Sequence, residues 1–133
     1  MGIFKRLFGI CETRPPSDPR CWKYADGKLS ISLDQAPELS RKGGAIRIDG
    51  PSLPKRVLVV HGQDGRFHAF PNRCTHVGHR RIDPVPGEAM IRCCSVGKST
   101  FDYSGKRLSG SAKESLVPLA VESDGKRLVI EVS

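Results

Sequence analysis

Cysteine and histidine side chains gather in one stretch of this 133-residue chain: Cys74-Thr75-His76, then His79, then Cys93-Cys94. Seventeen residues separate His76 from Cys94. Thiolates and imidazoles are the donors that hold zinc, copper and iron–sulfur clusters. The chain has five cysteines, the others being Cys11 and Cys21, and an odd number grouped around two histidines points to metal chemistry in a reducing compartment. A secreted disulfide framework would need a leader, and residues 1–10 do not read as a secretory h-region because Lys5 and Arg6 interrupt them. Two competing readings stay open: Cys93 as a buried core thiol, and a tetrahedral zinc site of Cys74, His76, Cys94 and His79.

The segment from Asn72 to Ala112 resembles the Rieske family. The first loop of that family reads Cys-x-His, matched by Cys74 and His76. Its second reads Cys-x-x-His followed by Gly, Ser, any residue, an aromatic and Asp, matched at Cys94, Ser99, Phe101 and Asp102. Ser104-Gly105 falls at the hairpin that follows. The approach (a strand, Asp64-Gly65, then Phe67 to Phe70) and the ending (Val117-Pro118-Leu119 before an Asp-Gly turn) also match, so the resemblance runs over about residues 28–133.

The resemblance implies an all-β domain, an antiparallel β-sandwich or barrel with two cluster-binding loops at one tip. It implies a [2Fe–2S] cluster with two thiolates on one iron and two imidazoles on the other. Cys74 and Cys94 would hold the first iron and His76 the second, with the Ser99 hydroxyl donating toward a cluster sulfur. The departure is at the fourth ligand: Gly97 stands where the second-loop histidine belongs, and no histidine follows His79. Aligning on Gly97 as the family glycine would make Cys93 the ligand and put Val96 at the vacancy, but the Ser-x-Phe-Asp match is longer. Three outcomes remain: His79 completes the iron from the first loop, Cys93 does so with the help of a bulge, or the domain is a cluster-free scaffold, as in some nitrite-reductase small subunits. Phe101 replaces the tyrosine of high-potential members, which removes one hydrogen bond near the cluster.

The elements that must position these residues are short strands. Fourteen glycines and ten prolines punctuate the chain and disfavour long helices. Leu29, Ile31 and Leu33 alternate, Ala45 to Ile48 do so more loosely, and Val57–Val60 is a continuous apolar run. Three hairpins are expected, turning at Gln63–Arg66, Ser104–Lys106 and Ser123–Gly125. His61 and His68 flank the first turn and are expected at the surface.

Residues 1–20 read as an N-terminal segment and linker, and 21–133 as the domain. Within residues 1–10, Ile3, Phe4, Leu7, Phe8 and Ile10 share a helical face opposite Lys5 and Arg6. That face reads first as a frayed terminus and second as a weak membrane-surface or partner contact, and it is too short to span a bilayer. Pro15, Pro16 and Pro19 make residues 12–20 an extended linker. A net charge of +8 favours acidic partners. With one Trp, two Tyr and five Phe, and basic residues scattered along the chain, no stacking surface for nucleic acid is evident. Arg73, Arg80, Arg81, Arg92 and Lys98 surround the two loops, either as a charge that steers an acidic redox partner or as a solvated rim. With no nucleotide fingerprint, triad or second iron domain in view, the expected role is a cytoplasmic one-electron carrier to a partner enzyme.

Overall fold

In the computed structural model, residues 13–72, 82–85, 87–93, 99–109 and 116–132 are described. Eleven strands are found there: β1 (Trp22–Ala25), β2 (Lys28–Ser32), β3 (Ala45–Ile48), β4 (Val57–His61), β5 (Phe67–Pro71), β6 (Ile82–Pro84), β7 (Met90–Cys93), β8 (Thr100–Asp102), β9 (Arg107–Ser109), β10 (Val121–Ser123) and β11 (Arg127–Glu131). The only helices among the described residues are three single 3₁₀ turns, at Pro19–Cys21, Leu33–Gln35 and Pro37–Leu39. All pairings are antiparallel, in three sheets ordered β1-β2-β11-β10, β3-β4-β5 and β6-β7-β8-β9. We call these the terminal, central and loop-bearing sheets.

The apolar run at Val57–Val60 explains the layering. Successive strand residues point to opposite faces, yet all four side chains are buried. Val57 and Val59 enter one core with Leu29, Ile31, Ile46, Leu128 and Ile130 of the flanking strands. Leu58 and Val60 enter a second core with Phe70, Ile82, Ile91, Phe101 and Leu116. The central sheet is therefore covered on both faces, which is why β4 is apolar throughout instead of alternating. A one-residue slip would exchange its two side-chain sets between the cores.

The three expected hairpins are present, as β4–β5, β8–β9 and β10–β11. Two more accompany them. The β1–β2 hairpin turns at Asp26-Gly27, both with positive φ (52° and 77°), as a two-residue Asp-Gly turn requires. The β6–β7 hairpin passes through Gly87. Strand β1 is half exposed, so its apolar signal in the sequence is weak.

His61 and His68 are only partly exposed, contrary to the surface placement expected for them. His61 Nδ1–H donates to the Leu39 carbonyl at 2.9 Å. The His68 ring stacks on Tyr103 with centroids 4.3 Å apart, and its Nε2 lies 2.9 Å from Asp64 Oδ2. Across the same junction the Gln63 N–H donates to the Tyr103 hydroxyl at 3.0 Å. The central and loop-bearing sheets are thus tied through their hairpin tips. Residues 13–17 run along the domain with their backbone engaged. The Thr13 N–H donates to Asp83 Oδ1 (3.1 Å), the Arg14 carbonyl accepts from the Arg47 N–H (3.0 Å), and the Ser17 N–H donates to Glu38 Oε2 (2.6 Å).

Candidate metal centre

The loop-bearing sheet is built so that two connections leave the same end. The first runs from the end of β5 to the start of β6, and the second from the end of β7 to β8. Ile82, the first residue of β6, pairs directly with Cys93, the last of β7. The far stem of the first connection therefore lies beside the near stem of the second. Strands β7 and β8 pair as Arg92↔Thr100, Ile91↔Phe101 and Met90↔Asp102, which closes the base of the second connection.

Asn72 closes the first. Its side chain is buried, and Oδ1 accepts from the Ile82 N–H at 2.9 Å across ten residues of chain. Its own N–H donates to the Arg56 carbonyl at 2.9 Å. A buried carboxamide in this position satisfies a backbone donor that no strand can reach. The sequence shows Asn72 at the head of the Cys-x-His loop, but nothing local to it reveals this partner.

Ser99 is buried, 1% exposed, and immediately precedes β8. A register shift follows at Thr100/Phe101. Phe101 is fully buried in the second core, so its ring serves packing. Tyr103, just beyond β8, carries a phenolic hydroxyl that accepts from the Gln63 N–H. Asp102 organises the next turn: its Oδ1 accepts from the Ser104 hydroxyl and from the N–H groups of Ser104 and Lys106. The Ser104 hydroxyl is the foremost cause holding the Asp102 carboxyl below its ordinary pKa, against a smaller raising effect of burial.

Cys74, His76 and His79, and with them Cys94 and Gly97, lie outside the described residues, as do Arg73, Arg80, Arg81 and Lys98. Cys93 is a regular strand residue in its backbone. Among the described residues, no group of three or more His, Cys, Asp or Glu could hold a metal ion.

Three antiparallel sheets with paired loops at one end of the third define an all-β domain of the Rieske sandwich type. A family model described as the Rieske [2Fe-2S] domain matches residues 33–122. The chain belongs to this family. Among curated proteins it is similar to the glycine betaine monooxygenase oxygenase subunits of Chromohalobacter salexigens (30% identity) and Pseudomonas aeruginosa (31%), each over 71 residues. Those 71 residues are 53% of this chain but 16% of each relative. Among solved structures it is similar to the ferredoxin of carbazole 1,9a-dioxygenase from Nocardioides aromaticivorans IC177, with TM-score 0.60 and 20% identity, over 77% of this chain and 94% of that one. The plasma membrane Rieske protein PetC3 from Synechocystis PCC 6803 gives TM-score 0.53 and 24% identity, over 65% and 85%. These likenesses establish the fold. The chain spans a small portion of the oxygenase subunits and nearly all of the dioxygenase ferredoxin. Among the described residues no helix is long and apolar enough to cross a membrane.

Proposed function

We propose that this chain is a Rieske-type one-electron carrier that passes electrons to a partner oxidoreductase. The observation that carries the reading is the Ile82↔Cys93 pairing with the Asn72–Ile82 hydrogen bond, because it joins the stems of both connections at one sheet end. The segments leaving those stems hold Cys74, His76, His79 and Cys94. That donor set, two thiolates and two imidazoles, fits a [2Fe–2S] cluster of the Rieske kind in composition. Cys74 and Cys94 would hold one iron; His76 would hold the other, with His79 in place of the histidine expected at Gly97. Ser99, buried at the foot of the second connection, supplies a hydroxyl toward the cluster. When bound, the cluster supplies a one-electron couple in the broad range of about −150 to +300 mV. Phe101, buried and without a hydroxyl, favours the lower part of that range.

The likeness to a dioxygenase ferredoxin and to oxygenase subunits supports an oxygenase-type partner. The net charge of +8 supports an acidic docking face on it. A cytoplasmic location, with weak membrane-surface contact through residues 1–10, completes the reading.

The test is anaerobic purification followed by iron, zinc and acid-labile sulfide analysis of the parent, Cys74→Ser, Cys94→Ser, His79→Ala and Gly97→His proteins. Iron and sulfide in equal amount, lost in both serine variants, is the expected result. A spectrum unchanged by His79→Ala removes His79 from the ligand set, and Cys94→Ser retaining its cluster moves the ligand to Cys93. The loss of the family histidine at Gly97 favours a second reading, a cluster-free interaction subunit. A colourless, metal-free protein establishes that reading, and zinc without sulfide establishes a mononuclear site.

A further inference from the structure

The terminal sheet carries a polar cleft unrelated to the two loops. Leu29, Ile31, Leu128 and Ile130 point into the core, so the alternate residues of β2 and β11 stand on the outer face. The register then brings three of them together with Lys23 of β1: Lys23 lies opposite Ser30 across β1–β2, and Arg127 opposite Ser32 across β2–β11. Arg20, from the first 3₁₀ turn, closes one end. These five residues line a cleft of about 420 Å³ in which, among the described residues, there is no carboxylate.

Among the described residues three of these side chains are uncommitted, while Arg20 and Arg127 each lie near a carboxylate. Lys23, Ser30 and Ser32 make no side-chain hydrogen bond or ion pair among the described residues. Arg20 gives its Nε–H to Asp18 Oδ1 at 3.3 Å, one of the five N–H groups of a guanidinium. Asp18 and Asp124 flank the cleft, near Arg20 and Arg127, but do not line it. Cys21 also lines it, and burial, then the charges of Glu38 and Asp18, push its thiol up to about 11. The thiol stays neutral at pH 7, adding neither a negative charge nor a nucleophile.

We propose that this cleft binds a small phosphate ester, with Lys23, Arg20 and Arg127 neutralising the phosphoryl group and the Ser30 and Ser32 hydroxyls donating to its oxygens. A phosphomonoester presents nearly two negative charges and three acceptor oxygens at neutral pH. Guanidinium groups match that geometry with paired donors. The volume falls within the range of about 300–1,000 Å³ typical of small-molecule sites, larger than a bare phosphate requires. The cleft therefore has room for an organic portion beside the phosphoryl group.

The test uses the full chain, with AMP as the phosphomonoester probe, and orthophosphate and adenosine as comparisons at fixed ionic strength. Calorimetry measures affinity, and amide NMR shifts locate binding. The expected result is saturable AMP binding that perturbs Lys23, Ser30, Ser32 and Arg127. Orthophosphate should bind at least tenfold more weakly, and adenosine should show no saturation. Lys23→Gln combined with Arg127→Gln should raise the AMP Kd tenfold or more, about 1.4 kcal/mol, with an unchanged thermal midpoint. Absence of saturable AMP shifts, shifts on another face, equal affinity for orthophosphate or adenosine, or an unchanged Kd in the double variant each overturns the proposal.

Discussion

Replacing Asn72 with alanine should loosen the base of the first loop at a cost that the structure allows to be worked out. The substitution removes the acceptor held at 2.9 Å from the Ile82 N–H. Asn72 is 1% exposed and Ile82 fully buried, so the freed N–H has poor access to water. An orphaned buried donor costs about 1–3 kcal/mol. The space vacated by the carboxamide adds about 1 kcal/mol. Together these give about 2–4 kcal/mol, out of a total stability of about 5–15 kcal/mol for a domain of this kind. The variant should stay folded at 25 °C but melt about 6–16 °C lower. Asn72→Asp keeps an acceptor of the same shape and should recover part of the loss. The recovery should be larger at pH 5 than at pH 8, since burial disfavours the charged carboxylate. Urea unfolding at both pH values, with iron and sulfide retention measured alongside, makes the comparison. If Asn72→Ala lies within about 0.5 kcal/mol of the parent, the idea that this hydrogen bond holds the loop stem is refuted.

Three further outcomes follow from the geometry. Gly105 has φ +89° and its added Cβ would sit 2.0 Å from the Leu116 carbonyl oxygen; Gly105→Ala should cost about 2–5 kcal/mol by chemical denaturation, from backbone strain and displacement of the buried Leu116. Asp102 has its pKa lowered on folding, so its stabilising effect is complete above the unfolded value of about 3.9 and is lost as pH falls through the folded value; an Asp102→Asn protein should show a shallower loss of stability as pH falls below about 4 in acid titrations followed by circular dichroism. Cys21, buried with its thiol raised to about 11, should be alkylated by iodoacetamide at pH 8 roughly a hundredfold more slowly than a thiol of ordinary pKa, as read by peptide mass spectrometry; labelling at the ordinary rate would show that the site opens readily.

Much of this protein is written locally. Asp-Gly and Ser-Gly turns between apolar segments determine the hairpins, because turn conformation and strand alternation depend on residues a few positions apart. The Cys-x-His and Cys-x₄-Ser-x-Phe-Asp segments carry the resemblance to the family, and the same alignment sets Gly97 at the position where a second-loop histidine is expected. Other features depend on residues distant in sequence. That Val57 and Val59 face one core while Leu58 and Val60 face another follows only when sheets pack on both sides of β4. Asn72 acquires its role from the Ile82 N–H, and His68 its shelter from Tyr103, neither of which marks its partner in the sequence. The outer cleft requires β2 to pair with β11, which brings Ser32 beside Arg127 from a distant part of the chain. Such contacts form only when the burial of both cores offsets the entropy of closing long loops, so they belong to the tertiary structure and not to any local pattern.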